Sequence, residues 1–372
     1  MSIYWNEKTK QLKPYVPGEQ PKDRKFIKLN TNENPYPPSP LVIEAIQKAA
    51  CETLKLYPDP ACTTLREAAA ARYGLRADQV FAGNGSDEIL AFAFAAFFET
   101  AQHGNPILFP DITYSFYPVY ADLWNVTYGT VPLRKDSSID TKPYIDLLSG
   151  GKSSGVVLSN PNAPTGIALS QEELKEITEA AEKNKKVLVV DEAYIAFADG
   201  EGIGTMLHFL KEYPNLLIIR TFSKEASLAG LRVGLAFGSE ELVEGLCRIR
   251  DSFNSYTLDR MALAGASAAL NDPAYYEKTN RRIIATRNRV SSGLKSLGFR
   301  VLPSQANFIF AAPPEESGIS GQDFFASLRE RGILVRHFNK PRIAEFMRIS
   351  IGSDEDMDTF LAECKEIVKR EK

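Results

Sequence analysis

The stretch that decides the fold is RTFSKEASLAGLRVG, residues 220–234. It follows the apolar run LLII, which predicts a buried strand that ends shortly before Lys224. Hydroxyl side chains precede this lysine at Thr221 and Ser223, and Arg232 follows it. An amine can attack the carbonyl carbon of an aldehyde, while hydroxyls and a guanidinium suit the oxygens of a phosphate. Because open α/β sheets bind ligands at the carboxyl ends of their strands, the stretch predicts a binding site rather than a solvated surface lysine.

The sequence around this stretch alternates short apolar runs with helical patterns. Strands are predicted at QVFAG, NPILFPD, VTYGTVPL, SGVVLSN, KKVLVVDEAY, NLLIIRT and RVGLAFG. Helices are predicted at SDEILAFAFAAFF, YSFYPVYADLW and SQEELKEITEAAEKN. This alternation is typical of an α/β fold, in which helices cover both faces of a mainly parallel sheet.

The pattern changes after Asp272. A long charged helix at DPAYYEKTNRRIIATRNRVSSGLKSLG leads into shorter strands and helices, which indicates a smaller α+β domain. We therefore predict a large ligand-binding domain over residues 41–272 and a small C-terminal domain over residues 273–372. Residues 1–40 are rich in proline, asparagine and charge, and they are predicted to form an extended arm that adds to the small domain.

The composition is that of a globular protein: of 372 residues, 44% are hydrophobic and 24% are charged. The formal net charge of −3 argues against binding to nucleic acid, and the longest apolar run is too short to span a membrane. Four scattered cysteines without a CxxC pair, and only three histidines, argue against a metal site. Since no apolar signal segment is visible near the start, the chain is expected in the reducing cytoplasm.

A second polar element follows the apolar run in VLVVDEAY. Asp191 lies at the tip of this predicted strand, where a buried carboxylate is costly without a cationic partner. A helix-cap or turn aspartate is the alternative. The protonated pyridine nitrogen of pyridoxal phosphate would be a suitable partner, because the charge pair keeps the ring able to absorb electrons. Tyr194, three residues further on, could reach the phenolic oxygen of such a ring.

Two loops and one aromatic residue supply further candidates. In SNPNAPTG a rigid loop follows a strand, and the amide of Asn162 could donate to the same ring oxygen; an ordinary turn is the alternative. In GNGSDEIL, the residues Gly85, Ser86 and Asp87 open a helix whose free N–H groups can hold an anion, although many helices start this way. Tyr114 in DITYSFY could cover a ring, and packing in the core is the rival interpretation.

Taken together, these motifs resemble the fold-type I aminotransferases that use pyridoxal 5′-phosphate. The elements GNGSDE, TYSFY, NPNAPTG, DEAY, TFSK and LAGLRVG occur in the order of that family and cover nearly the whole chain. Within the family, the sequence is most similar to the histidinol-phosphate aminotransferase subfamily, on LNTNENPYPPSP, LYPDP, PSQANFIF, GILVRHF and MRISIG. The resemblance implies a large domain with a mainly parallel sheet between helices, and a small α+β domain.

The resemblance also implies a role for each candidate. Lys224 would form the Schiff base with the cofactor and carry the substrate's proton, Asp191 would pair with the pyridine nitrogen, and Tyr194 with the ring hydroxyl. Tyr114 would stack on the ring, and Asn162 would donate to its oxygen. The remaining cofactor-binding residues, most of them on the phosphate, would be Gly85, Ser86, Asp87, Thr221, Ser223 and Arg232.

A substrate and a second subunit are implied as well. Arg336 and Arg348 would bind the anionic end of the substrate, with surface salt bridges as the alternative, and Asn32 and Tyr36 would lie in an arm over it. Tyr57 would reach the cofactor phosphate of a neighbouring subunit, which implies a homodimer with shared active sites. The implied reaction turns histidinol phosphate and 2-oxoglutarate into imidazole acetol phosphate and glutamate, a step of histidine biosynthesis.

Two departures from the family pattern bear on these expectations. The family commonly has an asparagine where this chain has Ala163, so the adjacent Asn162 is expected to supply the amide. Glu225 puts a carboxylate beside Lys224 in sequence.

An aromatic-amino-acid aminotransferase or a threonine-phosphate decarboxylase would share the fold, and a non-enzymatic regulatory protein of this fold is a rival from another class. A nicotinamide-dependent dehydrogenase is disfavoured, because GNGSDE lacks the last glycine of G-x-G-x-x-G.

Overall fold

The computed structural model describes residues 3–21, 24–102 and 104–370 of the chain. Its strands are β1 (Ile27–Lys28), β2 (Val80–Gly83), β3 (Ile107–Pro110), β4 (Tyr128–Val131), β5 (Gly155–Ser159), β6 (Val187–Asp191), β7 (Leu216–Thr221), β8 (Gly234–Phe237), β9 (Arg300–Val301), β10 (Phe308–Ala312), β11 (Ile333–Leu334), β12 (Arg336–His337) and β13 (Met347–Ser350). Its α-helices are α1 (Glu7–Gln11), α2 (Pro40–Ala49), α3 (Thr63–Tyr73), α4 (Gly85–Phe97), α5 (Phe116–Trp124), α6 (Thr141–Ser149), α7 (Gln171–Lys183), α8 (Glu240–Phe253), α9 (Arg260–Leu270), α10 (Pro273–Ser296), α11 (Gly321–Glu330) and α12 (Asp354–Arg370).

The central sheet has seven strands in the order β2-β8-β7-β6-β5-β3-β4. The neighbours from β7 to β4 pair in parallel, whereas β8 runs antiparallel to both β2 and β7. The predicted α/β class with a mainly parallel sheet is therefore confirmed. Asp191 at the end of β6 pairs in register with Ser159 of β5 and with Ile219 of β7. The polar residues that follow these strands consequently meet at one edge of the sheet.

Both faces of this sheet are covered by helices, because its parallel strands are apolar on both sides. In β6, Leu188 and Val190 belong to one core cluster and Val189 belongs to another, and β5 and β7 alternate in the same way. The first cluster takes in side chains of α2, α3, α6, α7 and α9. The second takes in side chains of α4, α5 and α8. The sheet is thus the rigid middle layer on which the loops at its carboxyl edge are mounted.

The start of α7 shows how local sequence sets a helix boundary. The side chain of Ser170 accepts the backbone N–H of Glu173 at 3.2 Å, and the carboxylate of Glu173 accepts the backbone N–H of Ser170 at 2.8 Å. This reciprocal pair satisfies two N–H groups that a helix start otherwise leaves without a partner. The helix predicted at SQEELKEITEAAEKN is confirmed.

The C-terminal part of the chain has a sheet of its own, with antiparallel strands in the order β12-β13-β10-β9. Helices α10, α11 and α12 pack with it around a third core cluster. Strand β1 of the N-terminal arm pairs in parallel with β11, which ties the arm to this part. The domain boundary at residue 272 stays a prediction, and residues 1–2, 22–23, 103 and 371–372 of the predicted domains lie outside the described residues.

Over the described residues, no helix combines the length and the apolar character that crossing a membrane would take.

Candidate active site

A cavity of about 200 Å³ opens at the carboxyl edge of the central sheet. Most of the site residues predicted from sequence line it: Asn32, Ser86, Asp87, Tyr114, Asp191, Tyr194, Thr221, Ser223, Lys224, Arg232, Arg336 and Arg348. They come from the N-terminal arm, the start of α4, the loop after β3, the ends of β6 and β7 with the loops that follow them, and the strands β12 and β13. The fold therefore brings distant segments of the chain to one site.

Lys224 lines this cavity just beyond β7. Its Nζ donates to the backbone carbonyl of Thr31 at 2.9 Å, and the amide of Asn34 donates to the backbone carbonyl of Lys224 at 3.0 Å. Burial lowers the pKa of Lys224 to about 8, and the positive charge of Arg348 adds to the decrease. Near neutral pH this amine is neutral far more often than an ordinary lysine, so it can act as a nucleophile and as a base.

Asp191 ends β6 with only 4% of its surface exposed. The hydroxyl of Tyr117 donates to its Oδ2 at 3.1 Å, and the backbone N–H of Ala193 donates to its Oδ1 at 3.2 Å. Within the described part of the chain no basic side chain forms a salt bridge with Asp191, and burial raises its pKa to about 7. A cation in the cavity would gain a strong partner here, and the protonated nitrogen of a pyridine ring fits that requirement.

The start of α4 and the loop after β7 form a cradle for an anion. Arg232 donates from Nη1 to the hydroxyl of Ser223 at 3.3 Å and from Nη2 to the carboxylate of Asp87 at 3.1 Å. Gly85 has a φ of +76°, and a Cβ there would lie 2.6 Å from Nη2 of Arg232. A Cβ at Gly234 would lie 2.6 Å from the carbonyl carbon of Gly85. The two glycines let a guanidinium and a helix N-terminus approach each other closely, which suits the oxygens of a phosphate.

Asp87 anchors the aromatic side of the cavity. Its Oδ1 accepts the hydroxyls of Tyr114 at 2.8 Å and of Tyr120 at 3.2 Å, while its Oδ2 pairs with Arg232. Burial raises the pKa of Tyr114 well above its usual value, and the charge of Asp87 adds to the increase. Tyr114 is therefore a neutral phenol with a fixed ring, and its stacking on a cofactor stays a prediction.

Arg348 of β13 and Arg336 of β12 bring two guanidinium groups to the cavity. Nη2 of Arg348 donates to the backbone carbonyl of Asn30 at 3.1 Å, and its buried Nε has no hydrogen-bond partner in the described chain. Arg336 donates to the backbone carbonyls of Val16 and Pro17. Neither arginine forms a salt bridge with any described residue, so the alternative of surface ion pairs does not hold and both can bind an anionic group.

The prediction that Asn162 offers its amide to the cavity is wrong. Its Nδ2 donates to the backbone carbonyl of Ile112 at 3.0 Å and to the hydroxyl of Thr165 at 3.2 Å. Its Oδ1 accepts the hydroxyl of Thr113 at 2.9 Å. Both ends of the amide are thus bonded to neighbouring loop residues. Ala163, next in the chain, lines the cavity instead.

Two of the predicted tyrosines also lie away from the cavity. Tyr36 packs under the guanidinium of Arg282 of α10, at 4.3 Å from its ring centre, and its place in an arm over the substrate stays a prediction. Tyr57 is 77% exposed and stacks on Tyr256 with ring centres 4.6 Å apart. Its contribution to a neighbouring subunit stays a prediction.

Asn32 lines the cavity, but both ends of its amide are already bonded. Its Nδ2 donates to the hydroxyl of Tyr194 at 3.0 Å, and its Oδ1 accepts the hydroxyl of Ser350 at 3.0 Å. The amide thus binds neighbouring side chains, and the predicted place of Asn32 in an arm over the substrate stays a prediction.

Glu225 follows Lys224 in sequence but faces a separate cavity of about 370 Å³. That cavity is also lined by Arg72, Tyr73 and Arg220. Burial raises the pKa of Glu225, while the positive charge of Arg220 opposes the increase. The carboxylate beside the lysine in sequence is therefore not part of the lysine's cavity.

Three residues at the site were missed by the sequence analysis. Tyr15 of the N-terminal arm lines the cavity and stacks on Phe116 with ring centres 4.2 Å apart. Thr31 binds the lysine amine, and Tyr117 binds Asp191. The motifs LNTNENP and TYSFY contain Thr31 and Tyr117, whereas nothing in the local sequence marks Tyr15, because its partner is distant in the chain.

Known protein sequences are similar to this chain over nearly its whole length. A sequence profile described as aminotransferase class I and II matches residues 24–363. The histidinol-phosphate aminotransferase of Clostridium acetobutylicum is 51% identical over 368 residues, with 99% of this chain and 100% of that protein covered. Histidinol-phosphate aminotransferase 1 of Bordetella parapertussis is 50% identical over 367 residues, with 99% of each chain covered.

Solved structures are similar over the same length. The histidinol-phosphate aminotransferase of Sinorhizobium meliloti in complex with pyridoxal-5′-phosphate has a TM-score of 0.88 at 25% identity, with 100% of this chain and 99% of that chain covered. The aspartate aminotransferase of Thermus thermophilus with maleate has a TM-score of 0.79 at 18% identity, with 92% of each chain covered, and at that identity the likeness is one of fold.

Proposed function

This chain belongs to the class I and II aminotransferases, and from that premise we propose that it transfers the amino group of histidinol phosphate to 2-oxoglutarate. It is an aminotransferase that works with pyridoxal 5′-phosphate. The proposed products are imidazole acetol phosphate and glutamate, in a reaction of histidine biosynthesis. Identity of about half the residues to two full-length proteins named histidinol-phosphate aminotransferase supports this donor over aromatic amino acids and threonine phosphate.

One observation carries the proposal: the amine of Lys224, the carboxylate of Asp191 and the cradle around Arg232 all line one cavity. Each suits a different part of the cofactor, because the lysine can react with its aldehyde, the aspartate can pair with its ring nitrogen, and the arginine can hold its phosphate. An amine whose pKa is lowered beside a buried carboxylate without a cationic partner is typical of an active site.

When bound, pyridoxal 5′-phosphate supplies an aldehyde that exchanges amino groups and a ring that absorbs the electrons left when a substrate loses its α-proton. In this proposal Asp191 keeps the ring nitrogen protonated, Tyr117 holds Asp191 in place, and Tyr194 donates to the ring oxygen. The residues that hold the phosphate are Ser86, Thr221, Ser223 and Arg232.

Lys224 is the proposed carrier of the proton. Since its pKa is about 8, a useful fraction of the amine is neutral near neutral pH and can take the proton from the substrate's α-carbon. The same amine can hold this proton and give it up again, since one base within reach can serve both transfers. The backbone carbonyl of Thr31, 2.9 Å from Nζ, gives the freed amine a defined position between the two transfers.

Arg336 and Arg348 are the proposed binding groups for the anionic end of each substrate. They would hold the phosphate of histidinol phosphate in one half-reaction and a carboxylate of 2-oxoglutarate in the other. A guanidinium binds both, since each anion presents paired oxygens. The guanidinium carbons of both arginines lie 5.7 Å from the ring centre of Phe338, so both groups lie at one end of the cavity.

We propose further that the protein is a homodimer in which Tyr57 of each subunit reaches the phosphate site of the other. Exposed apolar side chains support this, namely Leu54 and Leu56 close to Tyr57 in the chain, Tyr256 against its ring, and Phe253 close to Tyr256 in the chain. Sedimentation analysis should give a mass of twice the 41.3 kDa of one chain. A monomer that retains full activity would contradict the shared site.

A cytoplasmic location is part of the same proposal. All four cysteines, Cys51, Cys62, Cys247 and Cys364, are free. Free thiols suit a reducing compartment, whereas secreted proteins commonly pair their cysteines in disulfides. Fractionation of cells that produce the tagged protein would test this location.

The test of the function is a half-reaction assay on the purified holoenzyme. Histidinol phosphate, phenylalanine and threonine phosphate are each added, and the loss of the cofactor's visible absorbance is followed. We expect kcat/KM for histidinol phosphate to exceed that for phenylalanine by at least about tenfold, because phenylalanine lacks the phosphate that Arg336 and Arg348 would bind. A higher value for phenylalanine, or release of carbon dioxide from threonine phosphate, would contradict the proposal.

Arg348→Gln is the matched variant for this assay. It keeps a polar side chain but removes the charge, so kcat/KM for histidinol phosphate should fall by about tenfold to a hundredfold. The wavelength of the cofactor's visible absorbance should stay unchanged, because the substitution leaves Lys224 and the phosphate cradle intact, while the pH midpoint of that absorbance should rise because a nearby positive charge is lost. A shifted wavelength would place Arg348 on the cofactor rather than on the substrate.

A further inference from the structure

The loop after β5 leaves one wall of the active-site cavity without a side-chain amide. Ala163 presents a methyl group there, and the amide of Asn162 is bonded to its own surroundings. Asn160 is also fully used, since its Oδ1 accepts the backbone N–H of Leu169 at 2.7 Å and its Nδ2 donates to the carbonyl of Leu169 at 3.2 Å. A hydrogen bond to the ring oxygen of a bound cofactor therefore has to come from another segment.

Tyr194 lines the same cavity and has a hydroxyl hydrogen to donate. Its ring packs edge-on against Phe308 with ring centres 5.1 Å apart, and only 7% of the residue is exposed. Its oxygen accepts Nδ2 of Asn32 at 3.0 Å. A phenol carries one hydrogen, and the contact with Asn32 uses the oxygen as an acceptor. The hydrogen of Tyr194 is thus left for an acceptor elsewhere.

The network around Asn32 decides which end of its amide faces Tyr194. The hydroxyl of Ser350 accepts the backbone N–H of Asn32 at 2.8 Å and donates to Oδ1 of Asn32 at 3.0 Å. If the amide were turned around, Ser350 would face two donors and its own hydrogen would lose its acceptor. The network therefore directs Nδ2, the donor, at Tyr194.

The backbone holds Asn32 firmly in this position. The residue is 1% exposed and has a φ of +56°, a conformation that asparagine tolerates better than most residues. The amide of Asn307 donates to the backbone carbonyl of Asn32 at 3.0 Å, and Ser350 holds the backbone N–H. The donor that faces Tyr194 is consequently fixed from both sides.

We propose that Asn32 is a positioning residue whose amide turns the hydroxyl hydrogen of Tyr194 into the cavity, where it donates to the ring oxygen of the bound cofactor. The inference rests on the proposed function. It assigns to the N-terminal arm the task that an amide in place of Ala163 would otherwise perform. Asn32 acts through Tyr194 and needs no contact with the substrate.

The direction of this hydrogen affects the cofactor's acid–base behaviour. A hydrogen bond donated to the cofactor's ring oxygen stabilises the negative charge of that oxygen. The proton shared between this oxygen and Nζ of Lys224 is then lost more easily. Tyr194 can serve as this donor because burial raises its pKa, so the phenol keeps its hydrogen. The charged groups that line the cavity and influence the same proton are Glu33, Asp87, Asp191, Arg232, Arg336 and Arg348.

The test is Asn32→Asp in the holoenzyme. The substitution keeps the shape of the side chain but replaces the donating NH₂ with an accepting oxygen, so the hydrogen of Tyr194 should turn away from the cavity. We expect the pH midpoint of the cofactor's visible absorbance change to rise by about 1 unit, measured by spectrophotometric titration. Tyr194→Phe, which removes the hydrogen altogether, should raise the midpoint by a similar amount.

The negative charge of the new aspartate could raise the midpoint without involving Tyr194, so the double substitution is the control. In the Tyr194→Phe background, Asn32→Asp should raise the midpoint by about 0.3 units or less, as expected for groups that act through one another. A rise in that background of at least half the rise in the wild-type background would overturn the inference, because Asn32 would then act through charge or structure alone.

Asn32→Gly is the second variant, for use if Asn32→Asp fails to fold or to bind the cofactor. Glycine accepts the φ of +56° and adds no charge. Its midpoint should rise by about 0.5 units with Tyr194 present and should not rise in the Tyr194→Phe background. An equal rise in both backgrounds would again overturn the inference.

Failure of the inference and failure of the proposed function have different signatures. A wild-type protein that shows no pH-dependent visible absorbance with the cofactor, and no amino transfer from histidinol phosphate, would contradict the function. Equal midpoint shifts in the two backgrounds would leave both of these properties intact and would remove only the role of Asn32.

Discussion

Lys224 and Glu225 are neighbours in the chain, yet they face two different cavities. Beside Lys224, the carboxylate of Asp191 has no basic partner among the described residues. Beside Glu225, the guanidinium of Arg220 is paired with Glu192 at 3.1 Å. The difference teaches that a buried charge without a partner marks a place for a charged ligand, whereas a paired one is part of the structure. Adjacency in sequence therefore says little about shared chemistry.

The strongest test of this comparison replaces each neighbour in turn. Lys224→Ala should lower kcat by at least about a thousandfold, because it removes both the nucleophile and the base. Glu225→Gln should leave kcat/KM within about twofold, since its side chain belongs to the other cavity. Steady-state rates with histidinol phosphate check both. A large loss in Glu225→Gln would show that the two cavities are coupled.

The next effect concerns the carboxylate without a basic partner. Asp191→Asn should lower kcat/KM by about a hundredfold, because a charge-assisted bond to the cofactor is lost. The apoprotein should change in the opposite direction. Folding raises the pKa of Asp191 to about 7, so the carboxyl's contribution to stability is present at low pH and is lost as the pH rises through 7.

At pH 8 the buried carboxylate of Asp191 is ionised without a cationic partner, which costs folding free energy. Asp191→Asn removes this cost, so the variant apoprotein should be more stable than the wild type at pH 8, by roughly 1–3 kcal/mol. Urea unfolding of the two apoproteins at pH 5 and pH 8 measures the difference. A variant that is less stable than the wild type at pH 8 would mean that Asp191 has a cationic partner in the apoprotein.

A smaller effect is expected on the rate at which the apoprotein binds its cofactor. Only the neutral amine of Lys224 reacts, and burial lowers its pKa to about 8. The rate constant should fall about tenfold for each pH unit below 8 and level off above it. In Glu225→Gln the pH dependence of this rate constant should have the same midpoint as in the wild type. A midpoint near about 10.4, the pKa of an ordinary lysine, would contradict the role of burial.

The smallest effect is expected for Tyr117→Phe. This substitution removes the hydroxyl that donates to Asp191 at 3.1 Å but leaves the carboxylate in place. The pKa of Asp191 should rise further, and kcat/KM at pH 8 should fall by about threefold to tenfold. A loss as large as that of Asp191→Asn, measured in the same assay, would mean that Tyr117 does more than hold the carboxylate.

Most of the central sheet could be predicted, because its strands are short apolar runs with turn residues at their ends. The antiparallel direction of β8 could not be predicted, since the apolar run RVGLAFG looks the same for a strand that pairs in parallel and for one that pairs antiparallel. Helix α8 was not predicted, although Ser239 caps it and two acidic residues follow. The cap and the acidic first turn are the sequence signal from which this helix could have been predicted.

The site was predictable where a polar residue ends a buried strand or lies just beyond it, as Asp191 and Lys224 do. It was not predictable where a side chain depends on a distant partner. Asn162 turns away from the cavity because three groups around it take its amide. Asn32 serves Tyr194 because of Ser350, which lies more than 300 positions further along the chain.

The sequence by itself determined the class of the fold and the chemical types at the site: an amine, a carboxylate and an anion cradle at strand ends. These follow from local patterns, because apolar periodicity sets strands and helices and polar residues at strand ends meet at one edge of a parallel sheet. Only the tertiary structure decided which asparagine donates, which carboxylate lacks a partner, and which of two neighbouring residues faces the ligand. Those outcomes depend on hydrogen bonds and burial between segments that no local pattern connects.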